Sequence, residues 1–249
     1  MKKDNRHIPK LKVWKLYKQT LVEWKNNYQV YFKIILIVAL PVAVLGIFQN
    51  DGALGDYGIT TAIVWAFAFI ATISFAANKS KLQNSKLATI YSFASSRFLQ
   101  YTAVSLILAL FALPIFLSLL GMFVSLPVFG FPPAIFLPLS VGSFLLSSYL
   151  LARFGLAQII VVATTKSTFE SLKNSSLLTS KNRWRIYLGT FLLLLVFMLV
   201  LTSVQFLLTL NQSVAQNQYI SGLVSAIEAA VFVPIFFIFQ SKMYRDLNE

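Results

Sequence analysis

Few residues in this chain are equipped for chemistry, and two of them stand apart. Arg153 and Glu228 are the only charged residues deep inside long apolar runs. Counted from the basic ends of those runs, Arg153 lies roughly 15 Å in and Glu228 roughly 20 Å in, at about 1.5 Å per residue. An unpaired charge at such depth in a bilayer costs on the order of 3 kcal/mol, so each should face other helices and seek a partner. The simplest expectation is that they pair with each other, joined through Gln158 or Gln205. Such an intramembrane polar site reads in two ways. It is a structural ion pair that fixes helix register, or a polar relay where Arg153 would suit an anionic or lipid-like substrate.

Elsewhere the chemistry is thin. The single His is His7, in a basic tail, and no cysteine is present. Without cysteine there are no disulfides, thiol nucleophiles or thiolate metal sites. His-Glu-x-x-His, Walker-type glycine and Gly-x-Ser-x-Gly patterns do not occur. The acidic residues are scattered, and Asp51 and Asp56, beside Gly52, Gly55 and Gly58, are too few for a calcium cage. Turn chemistry explains Asp51-Gly52 better. The expectation is a non-enzymatic protein with no cofactor, no metal and no catalytic residues.

The elements that must position these residues are set by composition. Of 249 residues, 57% are hydrophobic and only 12% charged, against roughly a quarter charged in soluble proteins. Apolar runs of about twenty residues match a hydrocarbon core of roughly 30 Å. Spans are expected at about 29–48, 59–77, 98–123, 135–163, 184–209 and 219–241. Apart from Arg153, inside a run, the Lys and Arg residues fall in segments 1–33, 79–97, 166–185 and 242–245, with Arg185 on the lip of a run. The gaps at 49–58, 124–134 and 210–218 hold none. This positive-inside pattern places both termini in the cytoplasm. The net charge of +13 is better explained by anionic lipid headgroups than by nucleic acid.

The fold class expected is all-α and polytopic: one membrane domain over 1–249, with six transmembrane helices and short cytoplasmic connector helices. An amphipathic interfacial helix is expected over 10–28, where Leu11, Trp14, Tyr17, Leu21, Trp24 and Tyr28 recur at helical spacing among Lys12, Lys15, Lys18 and Lys25. In the sixth run, small residues at every fourth position (Ser221, Ser225, Ala229; Gly222, Ala226, Ala230) favour close helix approach. The connector at 167–183 carries a Ser167-x-x-Glu170 capping box. There Phe169, Leu172 and Ser176 share one side, Lys173, Lys181 and Arg183 are available to phosphates, and Trp184 anchors the next span.

The stretch Phe169-Glu170-Ser171-Leu172-Lys173-Asn174-Ser175-Ser176-Leu177-Leu178-Thr179-Ser180-Lys181-Asn182-Arg183-Trp184 resembles the signature of a bacterial membrane family. That family is the glycerophosphoryl diester phosphodiesterase membrane domain and its YciC-like relatives. Trp24-Lys25-Asn26-Asn27-Tyr28 is similar to the family's lead into its first span, and Arg153-Phe154 to its Arg-bearing fourth helix. Ser171 stands for the usual Ala and Lys181 for the usual Gly. The resemblance implies an integral protein of the bacterial cytoplasmic (inner) membrane with a role in envelope homeostasis or assembly. It does not imply phosphodiesterase activity, which in two-domain members belongs to a soluble domain. The expected partners are membrane lipids, anionic in class, with a membrane-protein partner or homo-oligomer open and nucleic acid excluded. The alternative is a transporter, or its membrane subunit, built on Arg153 and Glu228.

Overall fold

The apolar runs become helices because a backbone in hydrocarbon must satisfy its own hydrogen bonds. The computed structural model describes residues 10–50, 58–128, 133–164, 166–209 and 218–248. Every regular element among them is a helix: α1 Val13–Asn50, α2 Gly58–Ala77, α3 Lys79–Leu82, α4 Leu87–Val128, α5 Pro133–Phe154, α6 Ala157–Ala163, α7 Thr168–Thr179, α8 Arg183–Thr209 and α9 Gln218–Asn248. Four stretches among the described residues are long and apolar enough to cross a membrane: Leu87–Pro114, Val141–Ala163, Arg183–Val204 and Leu223–Asn248. Thr61–Ala77 in α2 is apolar but shorter. The gap residues Asp51 and Asp56, the tail with His7, and the side chains of Gln205, Ser221 and Gly222 lie outside the described residues.

α1 packs chiefly along α9, and α2 lies against α4 and α9. Tyr31, Ile34, Ile70, Ile73, Phe75 and Ile238 form the centre of the core, all essentially inaccessible. Part of the expected small-residue stripe is used there. Ala226 and Ala230 of α9 are buried against Ile35, Val38 and Ala39 of α1 and Ala68 of α2. Ser225 is exposed.

Two helices depart from the expected outline. α1 has non-helical torsions at Asn27 (φ −132°, ψ 15°), where the Asn27 amide donates to the Glu23 carbonyl at 2.8 Å. The break coincides with the boundary expected at residue 28. The face on its N-terminal side differs from the expected aromatic stripe, however. Leu11, Leu16, Thr20 and Glu23 are buried in protein, and the Tyr17 ring stacks on Phe239 at 5.0 Å. Trp14, Leu21 and Tyr28 remain outward. The reason is that α9 extends to Asn248, which offers this segment an apolar protein surface.

The fourth run, expected as one helix over 135–163, is broken between α5 and α6 at Gly155 and Leu156. A Cβ at Gly155 would stand 2.6 Å from the Leu151 carbonyl oxygen, so the tight turn there needs glycine.

α8 is attached by one stripe. Ile186, Gly189, Leu193 and Phe197, spaced by three and four, are buried, while Leu188, Leu192, Met198 and Leu199 are exposed. A helix apolar on all sides and buried on one fits a lipid-facing position.

Candidate functional site

The site begins with the carbonyl that the α5–α6 break releases. Arg153 lies in the last turn of α5, so its carbonyl is among those a helix end leaves unsatisfied. Two hydroxyls one turn apart on α7 take up that role. Ser175 Oγ and Thr179 Oγ1 each donate to the Arg153 carbonyl at 3.0 Å. The Arg153 side chain turns the same way, and its Nε–H donates to Ser176 Oγ at 2.7 Å. Its guanidinium carbon lies 5.2 Å from the centre of the Phe154 ring.

The sequence reading sends Arg153 toward Glu228; the bonded partner seen is Ser176. Glu228 lies in α9, half-buried. Gln158, expected as a bridge, donates to Ser105 Oγ at 3.0 Å and ties α6 to α4.

α7 is built to make this clasp. Ser167 caps it, accepting from the Glu170 backbone N–H, while the Glu170 carboxylate accepts from the Ser167 N–H at 3.1 Å. Both halves of the expected capping box are therefore present. The buried side is Ser171, Leu172, Ser175 and Thr179, each at 9% exposure or less, whereas Phe169 is 79% exposed. Phe169 thus departs from its expected place beside Leu172. Ser175 and Thr179 suit the inner face because the Arg153 carbonyl offers both an acceptor.

After α7 the chain turns through 180–182 without needing a glycine: Ser180 is right-handed helical (φ −51°, ψ −43°). Asn182 is 3% exposed and its Oδ1 accepts from the Leu11 N–H at 3.1 Å. Tyr17 OH donates to the Gly189 carbonyl. Burial pushes the Tyr17 hydroxyl above its ordinary pKa, so it stays protonated as a donor. The turn therefore holds the chain's N-terminal segment.

The expected headgroup-facing residues divide into two groups. Lys12, Lys15, Lys18, Lys25, Lys173 and Lys181 are exposed, with Trp14 at 72% and Trp184 at 75%. Trp24 instead packs against the core. Arg183 lies over Tyr149, donating from Nη1 to its hydroxyl at 2.8 Å.

Arg183 also edges a hollow of about 510 Å³ between α5 and the α7–α8 turn, lined by Lys10, Tyr149, Lys181, Trp184 and Arg185 among others. Ser148, Ala152 and Tyr187 line both this hollow and a groove of about 670 Å³. The groove runs between α5–α6 and α8 with Leu151, Phe191, Leu194, Leu195 and Met198 on its walls.

A feature the sequence reading missed lies farther along the same segment of α1. Lys242 Nζ pairs with Glu23 Oε2 at 2.7 Å, with the side chains 15% and 8% exposed. Nearby on α9, Arg245 Nη2 donates to the Ala76 carbonyl at the end of α2, at 3.0 Å. The glutamate is a lone acid among lysines, and its partner lies at the far end of the chain. No local spacing signals the pair.

Among the described residues, no group of three or more His, Cys, Asp and Glu is placed to hold a metal ion. No family model, curated protein or solved structure matches the chain.

Proposed function

We propose that this chain is a non-enzymatic, six-span protein of the bacterial cytoplasmic membrane, with both termini cytoplasmic, that gathers anionic lipid at its cytoplasmic face. The membrane character follows from the apolar helices. The inner-membrane address and the envelope-homeostasis or assembly role rest on the connector's resemblance to the phosphodiesterase membrane-domain family. The first of the six spans is α1 beyond Asn27, the second α2, and the fourth the α5–α6 pair. The segment before Asn27 is the interfacial helix, docked on α9 by its inner side and lipid-facing on the other.

The observation that carries the lipid reading is the outward face of that segment. Trp14, Leu21 and Tyr28 are exposed apolar residues, interleaved with exposed Lys15, Lys18 and Lys25. Exposed apolar and cationic residues together suit a headgroup boundary, each lysine contributing about 1 kcal/mol of attraction to an anionic surface. Lys173, Lys181 and Trp184 extend the same character to the connector.

Transport through Arg153 and Glu228 is the less favoured reading. The Arg153 Nε–H and carbonyl are both engaged by α7, which suits a structural clasp.

The test is lipid profiling of the protein extracted with its surrounding bilayer in polymer discs. Wild type is expected to carry more phosphatidylglycerol and cardiolipin than the bulk membrane. Replacing Lys12, Lys15, Lys18 and Lys25 by Gln should bring that enrichment close to bulk. Undiminished enrichment in the fourfold variant overturns the reading.

A further inference from the structure

We infer that the groove between α5 and α8 is a binding site for one anionic phospholipid. Its acyl chain lies along α8 and its phosphate sits among Lys10, Lys181, Arg183 and Arg185. This rests on the lipid reading above and narrows it from a surface to a single site.

Length and lining point to the class of occupant. From Tyr187 to Met198 the α8 wall extends about 16 Å at the helical rise. That length suits an extended acyl chain. Its walls are mostly apolar, Leu, Phe and Met above all, with Ser148, Gln158, Thr190 and Gln240 as the polar side chains among them. Buried water needs several polar partners, so hydrocarbon is the fitting content.

Charge decides the headgroup. Four cationic residues line the mouth, and no acidic residue among the described residues lines either hollow. Arg183 adds a directional cation at the edge of the hollow. A phosphate suits it, in the charge-assisted geometry that Arg favours. Tyr149 holds the guanidinium in place for it. Trp184, 75% exposed, stands at the rim where an amphipathic ring meets the headgroup layer.

The mouth is also joined to the clasp. It is lined by Ser180, Lys181 and Asn182 of the turn that follows α7. A lipid bound there would bridge α5 to the α7–α8 turn.

The experiment is native mass spectrometry of the full chain in detergent, titrated with phosphatidylglycerol or phosphatidylcholine of equal chain length. One phosphatidylglycerol per chain should be retained under conditions that strip phosphatidylcholine. Arg183→Gln with Arg185→Gln should weaken that retention about thirtyfold. Thr190→Trp, which fills the groove wall, should abolish it, and Lys10→Gln with Lys181→Gln gives a second mouth variant should either fold poorly. Equal retention of the two lipids, or retention unchanged by the mouth and groove variants, overturns the site. So does a second copy of the chain in place of lipid. The fourfold lysine variant separates the two readings. If it leaves bulk enrichment untouched while the single lipid persists, the surface reading fails and the groove stands. If enrichment falls but no single lipid is retained by wild type, the groove alone fails.

Discussion

The Glu23–Lys242 pair shows what a buried charge does in this molecule. Both side chains are largely out of solvent, so neither is cheaply left alone. Breaking such a pair from one side leaves an uncompensated charge and costs about 3–5 kcal/mol, while an apolar replacement of both partners is often neutral. Glu23→Gln should therefore lower the unfolding temperature in detergent sharply, and Glu23→Leu with Lys242→Met should recover most of the loss. A double variant no better than the single would mean that the pair's geometry, not its charge balance, holds α1 to α9. Ser175 and Thr179 call for a different measurement, because both donate to one carbonyl. Hydrogen bonds between membrane helices average about 0.6 kcal/mol and reach about 1.7. Ser175→Ala and Thr179→Val should each cost that much, and the double should cost more than the sum. Either hydroxyl alone still satisfies the Arg153 oxygen, and a buried acceptor is orphaned only when both go. At this scale the sequence is readable where partners are close. Ser167 and Glu170 form the capping box that their spacing announces. Glu23 and Lys242 cannot be matched by spacing, since a fold brings them together.

Elements obey the same division between local and distant causes. The break at Asn27 sits where the basic segment yields to the first apolar run, so composition marks it. The break at Gly155 is hidden, because Phe154, Leu156 and the residues beyond continue the apolar run without a change in pattern. What makes it is backbone crowding. A Cβ there meets the Leu151 carbonyl at 2.6 Å, whereas one at Gly142 meets nothing within 4 Å. Gly155→Ala should cost about 1–3 kcal/mol, the range of overpacking strain, and Gly142→Ala should stay within about 0.5 kcal/mol. Equal thermal stability of the two variants in detergent would show that the turn can reopen into a continuous helix. Gly189 is a third case, crowded by side chains from two other helices. Its Cβ would lie 3.0 Å from Val13 Cγ1 and 3.2 Å from Phe239 Cζ. Gly189→Leu should pry α8 from α1 and α9, seen as faster hydrogen exchange at Leu11 and at residues 183–193.

At the scale of the whole molecule, the open question of sidedness can be settled by the chain's own composition. The absence of cysteine makes any introduced thiol a unique reporter. The basic segments predict one side for Lys12, Lys81, Lys173 and Lys242 and the other for the lysine-free gaps. Single variants Lys12→Cys, Lys81→Cys and Lys173→Cys, chosen because these side chains are exposed, should react with a membrane-impermeant maleimide only after cells are opened. Asp51→Cys and Asn211→Cys, placed in two of those gaps, should react in intact cells. Crossings and sides are coupled, so the pattern has little slack. An even number of spans separates 12 from 81 if both are cytoplasmic, and an odd number if they differ. Labelling of Lys81→Cys in intact cells would remove α2 or the outer part of α1 as a span and invert everything after it. Lys181, Arg183 and Arg185 would then face the outer leaflet, on the opposite side from Lys10, which lines the same mouth. The anionic lipid of the cytoplasmic leaflet would be out of reach, so this one labelling result bears on topology and lipid site together.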